Sequence, residues 1–395
     1  MGAKRQIKKI RYSTVNLLRM AGLNKIVLLF SVLSTSVHSF SDYSYGVNFQ
    51  VIRSPLLPLD NPALEKGKIS GRATIRYMNV WSRQKNYFMI DGEEAQAEAT
   101  VRYAITDKWS FGGAFSYFSQ GGGTFDSSIE TFHSATGVTQ GGRRQYPRNR
   151  INVSYEPFGK YYGLIDDDPI KTFFRDNDYR KYPRDSSDPP TSAEAIAASK
   201  YRDFIYFNTP FAQTKNYPTE VIALSAQDRM GKGNPRFFSE ADVYKGNLID
   251  RVRIGMQVKF PVHNSYMMAS PGTDSALFVT LEKRLSERSK VKGAVSHNWF
   301  GSKQFYSFEL PKTRWIFRSS YTFSFTETSN FFIEYVATEA PFRSFGKLGK
   351  PVHQLGFGYQ KYFESGILTA GFAEDIINFA ASPDIGIFAS FEGKY

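Results

Sequence analysis

The sequence predicts an all-β, membrane-spanning antiparallel up-and-down β-barrel of twelve strands, with fourteen as the alternative. Three observations predict it. The chain ends on an amphipathic strand, Asp384 to Tyr395, with Ile385, Ile387, Ala389 and Phe391 on one face and Gly386, Ser390, Glu392 and Lys394 on the other, joined by Phe388. Many further segments of about ten residues alternate in the same way, while nothing after residue 39 is apolar enough for a spanning helix, which needs roughly 20 residues. The N-terminus reads as an export signal.

The 395 residues include 16% aromatics, 31 glycines and no cysteine. That usage suits strands joined by many turns, and it removes disulfides, thiolate metal sites and cysteine nucleophiles. In the first 39 residues, Lys4, Arg5, Lys8, Lys9, Arg11, Arg19 and Lys25 precede the apolar run Ile26 to Leu33. Val37-His38-Ser39 is a cleavage site, with Ser34-Thr35-Ser36 as the alternative. The net charge of +13 is largely this targeting segment, because seven of the basic residues lie in it. No basic stripe indicative of nucleic-acid binding remains. The expected organisation is a signal peptide over 1–39, a periplasmic or plug segment over 40–67, and the barrel over 68–395.

Successive strands are read from period-two alternation. Ser70 to Trp81 points Ala73, Ile75, Tyr77 and Trp81 outward and Arg72, Thr74 and Arg76 inward. Ala95 to Ile105 points Ala97, Ala99, Val101 and Tyr103 outward, with Gln96, Glu98, Thr100 and Arg102 inward. Trp109 to Ser119 follows, and Arg150 to Tyr155 makes a shorter fourth strand. In Ile249 to Val262, Val252, Ile254, Met256, Val258 and Phe260 oppose Arg251, Arg253, Gln257 and Lys259. Ser275 to Leu285, Lys290 to Phe300, Thr313 to Phe325, Phe331 to Thr338, His353 to Phe363 and Gly366 to Glu374 lead to the closing strand.

Loop lengths sort into two sides. Thr106 to Lys108, Ser286 to Ser289, Thr326 to Asn330 and Phe363 to Ser365 are short, as periplasmic turns are. Ser82 to Gly92, Gln120 to Asn149, Gly301 to Lys312 and Glu339 to Val352 are long. Gly159 to Leu248 breaks this parity and is read as an insertion over 159–248, with a helix from Thr191 and two optional strands, Tyr201 to Phe207 and Glu220 to Gln227. In the third connection, Ser127 and Glu130 form a capping box for a short helix that places Ile129 and Phe132 on one face and ends at Gly137.

From about Arg53 to Tyr155, and from Ile249 to the end, an ordered set of residues recurs. It comprises Asp91-Gly92-Glu93, Arg102-Tyr103, Gly121-Gly122-Gly123, Phe125-Asp126, Phe132-His133, Gly141-Gly142-Arg143, Asp250, Ser270 to Asp274, Asn378 and Ser382-Pro383-Asp384. In these the chain resembles an uncharacterised family of Gram-negative outer-membrane proteins, domain of unknown function 3187. The resemblance implies the barrel fold and the outer membrane, and no activity. Asn61-Pro62-Ala63 is similar to a triplet in the N-terminal hatch of long-chain fatty-acid transporters, which implies a transporter of hydrophobic compounds as an alternative.

The inward charges are Arg72, Arg76, Glu98, Arg102, Arg251, Arg253, Lys259, Arg314 and Arg318, with Glu282, Arg284, Lys292, Glu334, Glu392 and Lys394. On the lipid face each would cost about 2–4 kcal/mol, so they face the lumen. They line either a solvated channel that prefers anions mildly or an ion-paired, closed bore. Enzyme chemistry is not expected. No His-Glu-x-x-His spacing occurs. His263-Asn264-Ser265 is similar to a His-x-Ser element of lipid A deacylases, against which an ordinary polar rim is the preferred reading. Asp166-Asp167-Asp168 with Asp176 and Asp178 is a solvated acidic loop rather than a calcium site. The expected function is a pore or transport-associated barrel for small solutes, without cofactor or metal. The alternatives are a lipid-modifying surface hydrolase and a structural or adhesive barrel. The expected partners are the bilayer, lipopolysaccharide and the barrel-assembly machinery, the last through the strand ending in Tyr395.

Overall fold

The computed structural model describes residues 56–59, 61, 63–84, 87–122, 125–136, 152–155, 161–166, 219–224, 230–262, 272–302, 304–305, 308–343, 345–377 and 385–394. Its strands are β1 (Ile69–Gln84), β2 (Phe88–Ala104), β3 (Trp109–Gly121), β4 (Asn152–Tyr155), β5 (Tyr161–Asp166), β6 (Thr219–Leu224), β7 (Met230–Lys232), β8 (Arg236–Tyr244) and β9 (Arg251–Lys259). They continue as β10 (Asp274–Arg284), β11 (Ser289–Trp299), β12 (Gln304–Phe305), β13 (Phe308–Glu309), β14 (Thr313–Thr326), β15 (Ser329–Thr338), β16 (Val352–Phe363), β17 (Gly366–Ile377) and β18 (Ile385–Lys394). Helix α1 spans Asp126–Thr136.

Twelve of these close a ring in the order β1, β2, β3, β8, β9, β10, β11, β14, β15, β16, β17, β18. Neighbouring staves are antiparallel throughout, and β18 returns to β1 with Ser70 opposite Lys394 and Asn79 opposite Ile385. Closure removes the two edges that an open sheet would leave, so the staves satisfy their backbone groups within the wall. No described helix is long and apolar enough to cross a membrane. The outward positions carry a continuous apolar belt, including Ile75, Val101, Phe111, Phe115, Leu277, Val279, Phe317, Phe331, Phe372 and Ile387, all exposed.

The fourth stave differs from the sequence expectation. Arg150 to Tyr155 was expected to fill it, but β4 pairs Asn152 to Tyr155 with Asp91 to Phe88, on the part of β2 that extends past the ring. The stave is instead β8, paired to β3 and β9 and lying inside the span 159–248 that the parity argument set aside. The long connection therefore leaves β3 rather than the fourth strand, and the short turn 245–250 restores the two-sided pattern. The alternation of β8 is masked in sequence: small Ser239 and Ala241 point outward while Phe238 points inward and is buried. Thr219–Leu224 is a strand, but it pairs in parallel with β5 outside the ring. The helix expected from Thr191 and the strand Tyr201 to Phe207 lie outside the described residues, as does the signal segment 1–39.

Two other boundaries move. The expected long connection Ser82 to Gly92 is mostly ladder, since Val80 pairs with Gly92 and Gln84 with Phe88. The short helix exists, but it starts at Asp126, one residue before Ser127. Its first bond runs from the Ile129 amide to the Phe125 carbonyl, and Glu93 of β2 accepts the Phe125 amide at 3.1 Å. Asn79 donates to both Glu93 and Asp126, which fixes the helix against the extended β1–β2 hairpin.

Inside the wall a packing motif repeats. Phe238 lies opposite Gly112, Phe278 opposite Gly255, Phe332 opposite Gly358, and Phe388 opposite Gly371. In each pair a Cβ on the glycine would overlap the phenylalanine ring. The rings therefore lie flat on bare backbone, a cross-strand arrangement that both fills the wall and pins register. At the short-turn rim, Asp250 accepts the Arg284 amide at 2.5 Å and faces Lys283 at 3.4 Å. The amide bond first, and then the lysine, hold this exposed carboxyl below its usual range.

Three outcomes follow from this wall. Gly371→Val should lower unfolding stability by about 1–3 kcal/mol in urea titrations of the folded barrel, through overpacking against Phe388 and the Phe357 carbonyl. If the exposed apolar outer face meets lipid, Ile333→Arg on it should cost about 2–4 kcal/mol in the same assay, whereas the inward Thr322→Arg should cost less. Because folding depresses the Asp250 carboxyl, its contribution is complete above the ordinary carboxylate range and is lost as pH falls through the lowered value. Asp250→Asn should flatten the acid limb of a stability–pH profile.

Candidate functional site: an occupied, charge-lined lumen

The inward face begins with arginines, because alternation leaves every second position of a stave inside. Buried charges need partners, and here they find carboxylates on adjacent or next-but-one staves. Arg76 pairs with Glu98 at 3.0 Å, and Arg236 reaches the same carboxylate at 2.6 Å. Arg72 pairs with Glu392 across the β1–β18 seam, its Nε 2.7 Å from the carboxylate. Arg102 meets Glu240 at 3.1 Å, Arg253 spans Glu240 and Asp242 at 3.4 and 3.0 Å, and Arg251 meets Asp242 at 2.6 Å. Lys292 meets Glu282 at 3.0 Å, Arg318 meets Glu334 at 2.5 Å, and Lys259 meets Asp274 at 2.5 Å.

The remaining residues expected in the lumen divide. Arg314 is 1% exposed, donates to the Pro341 carbonyl at 3.1 Å and stacks over Phe300 at 5.1 Å. Arg284 lies at the short-turn end of β10 and is exposed. The Lys394 side chain lies outside the described residues. Sequence reading missed Arg236, Glu240 and Asp242, because β8 was not recognised as a stave.

The lumen is occupied by the chain itself. From Gly67, whose amide donates to the Ala104 carbonyl at the short-turn rim, the preceding residues run up the bore. Gly67 takes φ +79, a turn that glycine adopts without strain. Arg72 donates to the Asn61 side-chain oxygen at 3.3 Å, and Arg253 donates to the Asn61 carbonyl. Arg318 donates to the Pro58 carbonyl at 3.1 Å, and Gln257 to the Leu57 carbonyl at 2.6 Å. Near the far end Ser296 donates to the Leu56 carbonyl at 3.3 Å, and Asn298 accepts the Leu56 amide at 2.7 Å. Leu56 and Asn61 are buried. Among its described residues the strap has no strand partner, and the wall's side chains bind its backbone at Leu56, Leu57, Pro58 and Asn61.

The long-loop mouth is filled differently. Phe342, Phe345 and Leu348, from the connection between β15 and β16, are buried. The Phe345 ring lies 5.4 Å from Phe342 and 6.1 Å from Phe88 of β2. The Lys347 amide donates to Gln84 at 2.5 Å, so the connection reaches the β1–β2 hairpin across the opening. Gly346, with φ +54, makes the turn, and a Cβ there would strike Gln84. The bore thus has a polar, strap-filled body beneath an apolar cap.

Among the described residues no three His, Cys, Asp or Glu side chains assemble a metal site. His263, Asn264 and Ser265 lie outside the described residues, as do Asp167, Asp168, Asp176 and Asp178.

A family model described as protein of unknown function, DUF3187, matches residues 39–162 and 245–395. No curated protein matches the chain in sequence. Among solved structures, the COG4313 outer membrane channel from Pseudomonas putida F1 aligns at TM-score 0.48 and 11% identity, over 86% of this chain and all of that one. The NanC porin aligns at TM-score 0.40 and 7% identity, over 83% of this chain and all of that one. The CymD monoaromatic hydrocarbon channel aligns at 0.34 and 8%, over 84% and 88%.

Removing one side of a buried pair should be costly here. Glu334→Ala leaves Arg318 without its carboxylate and should lower stability by about 3–5 kcal/mol. The double change Arg318→Met with Glu334→Leu should recover most of that loss in urea titration.

Proposed function

We propose that this chain, which belongs to the DUF3187 family of proteins of unknown function, is an outer-membrane channel for small anionic solutes, held shut in this state by its own N-terminal strap. The strap held by arginines inside a closed, charge-lined bore is the observation that carries the reading. The even stave number and the start of β1 and end of β18 at one rim fit periplasmic chain ends, with the long connections at the cell surface. The belt of exposed apolar side chains fits a lipid surround. The closing strand β18 is the proposed contact for the barrel-assembly machinery.

The anion preference rests on what holds the strap. Its carbonyl oxygens sit on Arg253 and Arg318, and the Asn61 side-chain oxygen sits on Arg72. Each of these groups would turn to another oxygen acceptor if the strap withdrew. A solute carrying carboxylate or phosphate oxygens supplies stronger acceptors than a peptide carbonyl does, because its hydrogen bonds are charge-assisted.

Planar-bilayer recording tests this. The intact barrel should show rare or no openings, and a chain lacking residues 56–64 should conduct steadily, with a reversal potential in a potassium chloride gradient displaced toward chloride. Steady conduction by the intact barrel, or silence from a folded barrel lacking the strap, would contradict the gating role. Cation selectivity would contradict the solute class.

A further inference from the structure

The lipid-facing wall carries a trough that the transport reading does not use. It has a volume of about 610 Å³, within the range of ligand-sized cavities, and is almost wholly apolar. Two neighbouring cross-strand rows build it. One row runs Ser239, Met256, Leu277, His297, Trp315, and the other runs Ala241, Ile254, Val279, Val295. The depression arises because within these two rows β8 presents only Ser239 and Ala241 outward, between the larger Phe237 and Val243 and beside the larger side chains of β9 and β10.

The trough has direction and length. Ala241 pairs with Trp109, the first residue of β3 after the short turn, whereas Trp299 ends β11 at the long-loop rim and Trp315 lies close to that end of β14. From β8 to β14 it crosses four interstrand steps of about 4.8 Å, roughly 19 Å. With staves tilted roughly 35–45°, that path climbs roughly 11–14 Å along the membrane normal. One leaflet of a hydrocarbon core about 30 Å thick has a similar depth.

The polar end is also marked. His297 packs between Trp299 and Trp315, at ring-centroid distances of 4.5 and 4.3 Å. Its Nδ1 is buried and makes no hydrogen bond. A buried ring nitrogen of that kind is costly unless something supplies a partner. The Ser239 hydroxyl, by contrast, already accepts the Trp109 indole N–H at 2.7 Å. Tryptophans at the rim and an apolar path leading inward match a lipid's polar linkage and tail.

We propose that this trough holds one acyl chain of a lipid from the leaflet at the long-loop rim, with the lipid's polar linkage at the Trp299 and Trp315 rim. A second copy of the barrel would present a convex wall, which does not enter a concave trough. The proposal rests on the membrane placement given above, and not on the strap or the solute.

Native mass spectrometry of the full-length barrel, extracted in mild detergent and supplied with phosphatidylethanolamine, tests it. The expected spectrum shows predominantly one retained phospholipid. Ala241→Phe and Val279→Phe fill the trough and should cut that retention about tenfold or more, while His297→Leu should cut it less. Heat-modifiable migration on gels reports folding of each variant, and conductance of the same variants lacking residues 56–64 tests the channel reading separately. Retention unchanged in both folded, filled variants would overturn the site, as would a broad series of lipid adducts indifferent to them, or a lipid-free dimer. If neither filled variant folds, the intact barrel in brominated phosphatidylcholine decides. Tryptophan quenching that outlasts dilution into unlabelled lipid supports the site, and quenching lost at the rate of bulk lipid exchange refutes it.

Discussion

Backbone hydrogen bonding without water is the constraint on which the rest depends. In hydrocarbon every N–H and C=O of a spanning segment must find a partner within the protein, at several kilocalories per mole for each that does not. The chain answers with a ring, and the ring exists only because β18 meets β1. Once that seam is made, every stave has one face outward and one toward a shared interior. The apolar belt and the buried charges are both consequences of this division.

The interior then has to be neutralised. Arginines on β1, β2 and β9 sit opposite carboxylates on β8, β2 and β18, so charge pairing crosses the strand ladder rather than following it. Such pairs add little net stability but make each partner dependent on the other. Some donors have capacity beyond their carboxylate, and the strap uses it. Arg318 holds Glu334 through Nε and the Pro58 carbonyl through Nη1. Wall cohesion and strap binding therefore share side chains, so loosening one alters the other.

Most of the wall was legible because lipid on one side and charge on the other sharpen a period of two. That is why Arg72, Arg102, Arg253 and Arg318 were placed inward from alternation alone. The fourth stave was not legible because its middle outward residues, Ser239 and Ala241, are small and large Phe237 and Phe238 stand side by side on opposite faces, which blurs the pattern. The Phe–Gly pairs were invisible for a related reason: an inward phenylalanine such as Phe388 looks like an exception until its opposite glycine is known. The strap was foreseen only as a segment of either periplasmic or plug character. It has no periodicity, and most of its contacts lie more than 190 residues away, as between Asn61 and Arg253 or Leu56 and Asn298. The sequence offered the Asn61-Pro62-Ala63 triplet there, but not the donors that meet it.

The strap's position in the chain has a consequence for assembly. It lies directly before β1, and β1 is sealed by β18, which follows every other described strand in chain order. A segment inside a ring either is in place before the ring closes or must thread an opening afterwards. The Phe345 cap lies at one opening, and the ion-paired network around Glu240 and Asp242 lies near the other. The economical order is for the donors on β9, β11 and β14 to collect the strap while the sheet is still open, and for β18 to shut it in. The first residues of the barrel region would then act as a template around which the later strands curl, so that the chain's beginning helps to set the curvature that its end completes.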